Sequence, residues 1–425
     1  MFHFGFTVAD MSTLISAKPQ RSSNSDGMPG STGGPGGRIL SGPLALVFLT
    51  EFCALTGFYL LLSVTPRYAA AVGAGTAGAG LVTGVLLLGT VAAELAAPTV
   101  MRRFGYWAML ATGALLLGVP ALALLPGGSL ATVAAVSVVR GLGFGLCTVV
   151  TGALTAVLLP PERRGEGLGL FGIVATAPGI VALPGGVWLA DRTGMATVVV
   201  MAAATALVPL TVFPWLAARR GSGNAEPARA GAGRPDGLLT GLRQAGQLRP
   251  FLIFAASTVA GGVVVSFLPL ATGVSGNIAA AGLLVQALTA TIGRWWAGRR
   301  GDRTGHARLL VPALVIASLG MITMIWLASP AAVIAGMCLF GIGFGIGQNA
   351  TFALMIERMP ASGLGTASAL WNLAYDAGYG VGPIVFGLLV GHTGYPAAFA
   401  LTAVLMLAVL PAARRERSAP ATGSR

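Results

Sequence analysis

The sequence predicts an all-α membrane protein with twelve transmembrane helices in two six-helix, pseudo-symmetric bundles. Three observations carry this prediction. Hydrophobic residues make up 55% of the 425 residues and charged residues only 9%, whereas soluble domains carry about 25% charged residues. Apolar runs of about 20 residues, long enough to cross a bilayer as helices, recur along the whole chain. Finally, one glycine-rich stretch occurs twice, 200 residues apart.

Turn residues and charges divide the apolar runs into twelve segments. Spanning strands are excluded because only a closed barrel satisfies strand backbone in lipid, and these runs do not alternate in polarity as barrel strands do. The predicted helices are 43–64, 77–100, 107–125, 131–158, 168–190, 195–217, 250–271, 278–297, 309–328, 331–356, 365–389 and 396–412.

The domain organisation follows from the one long polar connection, residues 218–249. Gly, Ala, Pro and Arg dominate it without an apolar period, which is typical of a linker. It separates an N-terminal six-helix bundle over 41–217 from a C-terminal six-helix bundle over 250–413. Residues 1–40 are rich in Ser, Gly and Pro and are expected to be a disordered tail, and residues 414–425 form a second tail.

Orientation follows from the distribution of positive charge. An even number of spans places both termini on one side, and nearly all of the 26 Lys and Arg residues fall on that side. Positive charge marks the cytoplasmic side of a membrane protein, so both tails and the linker are expected to be cytoplasmic. The net charge of +13 is thereby explained as a topology signal, and a nucleic-acid partner is not expected.

The internal repeat is clearest where GLGFG at 141–145 corresponds to GIGFG at 341–345. Two further landmarks share the 200-residue offset: MRRFG with GDRTG, and DRTG with GHTG. Parallel repeats are related by an axis along the membrane normal and place the substrate site between them near mid-membrane. The shared glycines are expected to serve close helix packing.

One segment, AGRRGDRTGHAR at 297–308, resembles the signature loop G-x-x-x-D-R-x-G of the major facilitator superfamily, with matches at Gly298, Asp302, Arg303 and Gly305. The resemblance covers about residues 40–415. It implies the major facilitator fold, transport by alternating access, and a gating loop in which these four residues form a charge-relay latch that stabilises one access state.

Two further segments resemble the bacterial proton-linked exporters of drugs and small molecules within that family, which have twelve spans. VVRGLGFG at 138–145 is similar to their helix-4 motif, with Arg140 at the basic position. ATAPGIVALPGG at 175–186 approximates their helix-5 motif G-P-x-x-G. The first-half signature loop departs from the family pattern, because Arg102 stands where Asp is expected and Pro98 where Gly is expected.

Four ionisable residues stand out within predicted spans and are the proton-coupling candidates: Asp376, Glu51, Arg140 and Glu94; Arg294 also falls within a predicted span. Each costs at least about 2.5 kcal/mol to insert, so a functional role is the default hypothesis. Burial favours the neutral form of a carboxyl and a nearby guanidinium favours its charged form. We therefore expect Arg140 to pair with Asp376 or Glu51, with the protonation of that carboxyl coupled to substrate occupancy. The alternative is a static ion pair that fixes helix packing.

Polar and aromatic side chains share one face of each of the predicted helices 43–64, 131–158 and 365–389. A helix that contacts only lipid and apolar neighbours does not need such a face, whereas a helix that lines a wet or ligand-filled interior does. The two copies of the repeated stretch share their packing glycines but differ in their polar residues. Arg140 corresponds to Phe340, and Thr148 corresponds to Gln348. The substrate-cavity candidates are Tyr59, Phe58, Phe144, Thr148, Thr151, Gln348, Asn372, Tyr375 and Tyr379.

Other chemistries lack their required residues. Lys18 is the single lysine, so neither a nucleotide-binding P-loop nor a Schiff base within the membrane is expected. The histidines His3, His306 and His392 are scattered and are expected to be solvated loop residues, so neither a metal nor another cofactor is expected. The three cysteines lie in apolar runs and are expected to be free thiols.

Taken together, these features favour proton-coupled efflux of a small amphipathic or aromatic molecule by a monomer in a bacterial cytoplasmic membrane. The partners are then the substrate, protons and the bilayer. An uptake symporter of a small nutrient remains open, although it would need more hydrogen-bonding groups. A membrane-embedded enzyme, a channel or a sensor also remains, and for an enzyme no nucleophile–base set is visible. The Phe, Tyr, Leu and Thr lining suits apolar or aromatic cargo.

Overall fold

The structure, a computed structural model, describes residues 41–159, 164–218, 242, 246–271, 274–359 and 363–418. These ranges are helical apart from short connections and contain no strand. The α-helices are, in chain order, α1 Gly42–Leu62, α2 Thr65–Ala69, α3 Gly75–Gly118, α4 Leu130–Leu158, α5 Arg164–Thr193, α6 Met195–Ala218, α7 Leu248–Phe267, α8 Gly276–Thr304, α9 Leu310–Thr323, α10 Pro330–Glu357, α11 Leu364–Ala408 and α12 Leu410–Ser418.

Within the described ranges, eight helical stretches are long and apolar enough to cross a membrane. Two of them are much longer than one crossing requires: Gly42–Leu124 has 83 residues and Thr366–Arg417 has 52, whereas about 20 suffice. Glycines with positive φ interrupt both stretches, Gly105 at 79° in α3 and Gly394 at 74° in α11. Glycine adopts this region without the Cβ penalty, so the helix axis can turn sharply there.

Serine side chains cap the N-termini of four of the described helices, α1, α4, α8 and α10. In each, the hydroxyl accepts a hydrogen bond from the N–H three residues later, at 3.3 to 3.4 Å. This satisfies one of the N–H groups that a helix start leaves without an intrahelical partner. The capping residues are Ser41, Ser129, Ser275 and Ser329.

The 200-residue repeat is visible in helix packing. A Cβ on Gly141 would collide with the carbonyl oxygen of Leu86, and a Cβ on Gly341 with the carbonyl of Gln286, which is the equivalent residue of the second half. The same equivalence of neighbours holds for Gly143 with Gly343 and for Gly145 with Gly345. The packing role predicted for these glycines is confirmed. In the second half Gly341 and Gly345 pack α10 on α8, and Gly343 packs it on α9. Their first-half equivalents pack α4 on the parts of α3 before and after Gly105, respectively.

The two halves of the chain contact each other closely at the end of the molecule where α1 ends, here called the distal end. The hydroxyl of Thr76 in α3 donates to the carbonyl of Gly387 in α11 at 2.9 Å. The hydroxyls of Thr83 in α3 and Ser266 in α7 lie 3.1 Å apart and are buried. Helices α3, α7 and α11 therefore seal the distal end in this conformation.

The segment predicted as a loop after residue 297 is instead the continuation of α8, which runs to Thr304. Gly298, Asp302 and Arg303 lie on its last turns, and Gly305, with φ of 87°, ends it. The reason is local: no residue between 298 and 304 breaks a helix, and the first positive φ comes at Gly305.

The N-terminal tail, most of the linker 218–249 and the end of the chain lie outside the described residues, and α7 begins at Leu248, within the predicted linker. Within the predicted C-terminal tail, residues 414–418 belong to α12. Glu416 in this helix is buried, pairs with Arg358 at the end of α10, and lies 3.7 Å from the guanidinium of Arg249 in α7. The pairs thus dock α12 against α7 and α10.

Candidate functional site

A cavity of about 80 Å³ lies between the two halves. Helices α1 and α5 of the first half and α8, α10 and α11 of the second contribute its walls. The volume has room for a few water molecules and is far below the 300–1,000 Å³ typical of ligand pockets, so a ligand would require the halves to move apart. The aromatic and polar residues of the lining are Tyr59, Thr176, Gln286, Thr291, Arg294, Phe344, Gln348, Trp371, Tyr375 and Tyr379.

One wall of the cavity is aromatic and is built on α11. The rings of Tyr375 and Tyr379 are stacked, with centroids 4.7 Å apart and planes 6° apart. The Trp371 ring stacks on Phe254 of α7 at 4.4 Å, which fixes its orientation. The wall on α5 carries Ala175, Thr176 and Gly179 together with Ile180 and Leu183. A Cβ added at Gly179 would lie 3.4 Å from the Tyr59 ring of α1. The result is a slot with one flat aromatic face.

The charged residue in the lining, among those the structure describes, is Arg294 of α8. Its guanidinium donates a hydrogen bond to the side-chain oxygen of Gln348 in α10. The hydroxyls of Tyr59 and Tyr375 lie close enough to interact with its charge. Arg294 was not among the sequence candidates because it lies three residues before the predicted end of its span, whereas α8 extends to Thr304. The 200-residue offset makes Arg294 the second-half equivalent of Glu94, and this equivalence is the signal that could have identified Arg294.

Two of the proton-coupling candidates meet across the interface between the halves. The carboxyl of Glu94 in α3 lies beside the carboxyl of Asp376 in α11. Asp376 is buried, and neither of its carboxyl oxygens has a hydrogen-bond partner of normal geometry among the described residues. Two adjacent carboxyls cannot both ionise without strong repulsion, so this pair is a candidate site for a proton held between the two halves.

Glu51 occupies a different place, inside the first half. It is buried between α1 and α4, and the hydroxyl of Thr151 donates to its carboxylate at 2.5 Å. The thiol of Cys147 is close enough to interact with its charge. Glu51 and Thr151, one predicted for proton coupling and the other for the cavity, therefore form one hydrogen-bonded pair that does not line the cavity.

The predicted ion pair of Arg140 with Asp376 or Glu51 is not formed in the structure. The Arg140 guanidinium is buried and donates to two main-chain carbonyls, of Leu117 at 3.1 Å and of Gly57 at 2.9 Å. The guanidinium meets α1 at Gly57 rather than at Glu51. Gly57 lies six residues beyond Glu51, which is about 9 Å along a helix. In this conformation Arg140 ties α4 to its neighbours within the first half.

The polar faces predicted for α1, α4 and α11 are all turned inward, but they do not all reach the cavity. Four of the nine cavity candidates line it: Tyr59, Gln348, Tyr375 and Tyr379. The other five are buried elsewhere: Phe58, Phe144, Thr148, Thr151 and Asn372. Helical periodicity predicts which face of α4 is inward, whereas α4 packs mainly on α3, so its polar face meets the interior of its own half. Phe58 and Phe144, for example, stack on each other with centroids 3.6 Å apart.

The signature segment places His306 in a buried position, which corrects the expectation of a solvated loop histidine. Its Nδ1 lies 2.8 Å from the carboxylate of Glu357 at the end of α10, and its Nε2 lies 3.8 Å from the carboxylate of Asp302. Asp302 itself is exposed. His306 thus links the end of α8 to the end of α10, a contact that the loop motif alone does not indicate.

Comparison with known proteins identifies the family. The profile of the Major Facilitator Superfamily matches residues 47–383. An uncharacterized MFS-type transporter of Methanocaldococcus jannaschii is 21% identical over 86% of this chain and 95% of its own length. The tetracenomycin C resistance and export protein of Streptomyces glaucescens is 31% identical over 27% of this chain, and that match spans only 22% of the relative's length.

A homologue of the multi-drug resistance efflux pump PmrA from Lactococcus lactis is 28% identical over 30% of this chain and 32% of its own length. Among solved structures, a POT family transporter in complex with a thioalcohol-conjugated peptide superimposes with a TM-score of 0.71 at 13% identity, covering 87% of this chain and 94% of that one. The nucleoside transporter NupG superimposes with a TM-score of 0.68 at 12% identity, covering 89% and 100%. At such identities the structures share the fold.

Proposed function

Because the chain belongs to the Major Facilitator Superfamily, we propose that this transporter exports a small amphipathic or aromatic molecule across a bacterial cytoplasmic membrane in exchange for protons. It works by alternating access as a monomer, with both termini cytoplasmic. Uptake by symport is the runner-up, and the two partial matches to export proteins favour efflux over it.

The proposal includes twelve spans. The stretch Gly42–Leu124 divides into three crossings, at the irregular turn around Gly73 and at Gly105, and Thr366–Arg417 divides into two at Gly394. The shorter apolar helix Met195–Thr211 adds one more. The remaining six stretches each cross once. This division gives each half six crossings and returns both termini to the same side.

The observation that carries the proposal is the carboxyl pair of Glu94 and Asp376. With at least one proton on the pair, the two carboxyls can share a hydrogen bond and hold α3 against α11. With none, the two negative charges repel; for scale, any two unit charges at about 4 Å repel by roughly 4 kcal/mol at an effective dielectric constant of about 20. The protonation state thereby biases the α3–α11 interface, whose distal part is sealed by Thr76 and Gly387.

The direction of proton movement follows from that bias. A protonated pair stabilises the conformation with a sealed distal end, which the charge distribution assigns to the outside. Release of the proton toward the cytoplasm, with binding of cargo, favours opening of the distal end. Cargo then leaves, the pair takes up a proton from outside, and the distal end closes. Protons move inward and cargo outward, which is antiport.

The test is transport by purified protein in proteoliposomes. Inside-out vesicles loaded at acidic pH and diluted into alkaline buffer present the cytoplasmic face to the medium, so antiport predicts accumulation of cargo inside. A gradient of the opposite sign should not drive accumulation. Symport would give the reverse dependence on the sign of the gradient, and equal rates under both gradients would exclude proton coupling.

A further inference from the structure

The charges around the cavity are unequally distributed. Among the described residues, the lining contains a guanidinium, from Arg294, and no carboxyl. The membrane carboxyls Glu51, Glu94 and Asp376 lie behind or beside the lining rather than in it. A cavity that recognised cationic amphipathic molecules would present a carboxylate to them, because an uncompensated charge is costly to bury.

We propose that the cargo is a planar aromatic molecule that carries an anionic group, and that Arg294 binds this group. The inference rests on the proposed function and narrows it to a substrate class. A carboxylate or phenolate fits the geometry of a guanidinium, which presents its N–H donors in a planar fork. The ring of the cargo then lies along the stacked rings of Tyr375 and Tyr379, since aromatic pairs prefer offset-stacked or edge-to-face contacts.

Gln348 positions the guanidinium for this role. Its side-chain oxygen accepts a hydrogen bond from Arg294, so the contact orients the fork. Gln348 is itself buried, which limits its freedom to release the arginine. The two residues come from different helices, α8 and α10, so the orientation of the fork depends on how these helices pack.

The α5 side of the slot also fits a flat ring. Helix α5 contributes the small residues Ala175, Thr176 and Gly179 to the lining together with the aliphatic Ile180 and Leu183. Opening of the halves would therefore leave a space bounded by one aromatic face and one largely apolar face without rings. Such a space suits a flat apolar ring.

Binding of three probes that share one ring tests the inference. These are 2-naphthoate, 2-naphthamide and 2-naphthylmethylamine, which are anionic, neutral and cationic at pH 7. Equilibrium dialysis against the protein in nanodiscs should give an affinity for naphthoate about tenfold to a hundredfold above that for naphthamide, the range expected for a charge-assisted hydrogen bond. The amine should bind most weakly. This ranking in the wild type needs no variant.

Substitutions then assign the preference to one side chain. Arg294→Gln should bring the affinities for naphthoate and naphthamide to within about twofold of each other, whereas Arg294→Lys should keep most of the preference. Arg299→Gln is the matched control, since Arg299 lies on the same helix, exposed, with its guanidinium over the Trp295 ring. Arg299→Gln should leave the affinities for all three probes unchanged.

Three results would overturn the inference: the amide or the amine binding more tightly than naphthoate, an unchanged preference in Arg294→Gln, or no binding of any probe. Its failure is distinguishable from failure of the proposed function. Export of the amine driven by a proton gradient would keep proton antiport and overturn the anionic substrate. Tight naphthoate binding that depends on Arg294, without transport under any gradient, would keep the anionic substrate class and overturn proton-driven transport.

Discussion

The carboxyl of Glu94 lies beside the carboxyl of Asp376, and the two residues come from opposite halves of the chain. A proton bound by this pair would contact both halves at once. By contrast, Glu51 accepts a hydrogen bond from Thr151 and Arg140 donates to a main-chain carbonyl, and both of these contacts lie within the first half. The carboxyl pair is therefore the strongest candidate for the coupling site.

Neutralising the pair should separate transport from its driving force. In Asp376→Asn and in Glu94→Gln, the amide can still form a hydrogen bond with the other carboxyl, but the repulsion between two charges is lost. We expect cargo counterflow to remain within about threefold of wild type and proton-driven accumulation to fall at least tenfold. Asp191→Asn is the control acid, because Asp191 pairs with Arg67 outside the cavity. Normal proton-driven accumulation by both pair variants would remove the pair from the mechanism.

A disulfide across the distal end should lock the protein in the described conformation. The hydroxyls of Thr83 and Ser266 are 3.1 Å apart, so Thr83→Cys with Ser266→Cys, in a background without the three natural cysteines, can form a bond with little backbone movement. Oxidation should abolish transport, and reduction should restore it.

The control for this disulfide is a pair within one half, Ser129→Cys with Thr132→Cys, whose hydroxyls lie 3.3 Å apart at the start of α4. Oxidation of this pair should leave transport unchanged. Full transport by the oxidised Thr83–Ser266 variant, with the crosslink shown by mass spectrometry, would mean that the distal end does not open during the cycle.

Close glycine packing should be intolerant of a single methyl group. A Cβ on Gly141 would collide with the backbone of α3, whereas a Cβ on Gly152 in the same helix meets nothing within 4 Å. Gly141→Ala should destabilise the protein by about 1–3 kcal/mol, as overpacking does. Gly152→Ala should be neutral or slightly stabilising, since Ala is the better helix former by about 1 kcal/mol. Thermal unfolding in detergent measures both, and equal effects would refute the packing interpretation.

Arg140 should matter for stability rather than for proton coupling. Arg140→Met removes two charge-assisted hydrogen bonds to the carbonyls of Leu117 and Gly57, at an expected cost of roughly 2–4 kcal/mol. The midpoint of thermal unfolding should fall, while the proton dependence of transport by the folded fraction stays within twofold. Arg192→Met is the control, because Arg192 is exposed, with its guanidinium over the Trp188 ring. Loss of proton coupling without loss of stability would restore the original ion-pair hypothesis.

Sequence reasoning predicted the helices well because apolar length and glycine breaks are local properties. For example, the predicted span 131–158 corresponds to α4, Leu130–Leu158. It failed at the end of α8, where charged residues were taken to mark a loop although nothing in them stops a helix. The same error hid Arg294, which is the charged residue of the cavity.

The inward faces of the helices were also predictable, since periodicity shows which residues share a side. Which neighbour each face meets was not, because this depends on packing between distant segments. Thr151 and Tyr375 both lie on the polar face of a predicted apolar helix. Nevertheless, Thr151 hydrogen-bonds Glu51 inside the first half, whereas Tyr375 lines the cavity. Likewise, no sequence pattern indicated that Glu94 would face Asp376 rather than lipid.

The most direct test of the coupling site is the distance between the halves at the distal end as a function of pH. Spin labels at Ala77→Cys in α3 and His392→Cys in α11, both exposed positions, report this distance by double electron–electron resonance. We expect a longer-distance population that grows as the pH rises, and no such growth when Glu94→Gln and Asp376→Asn are combined. An identical pH response in that double variant, or none in either protein, would contradict a proton switch at Glu94 and Asp376.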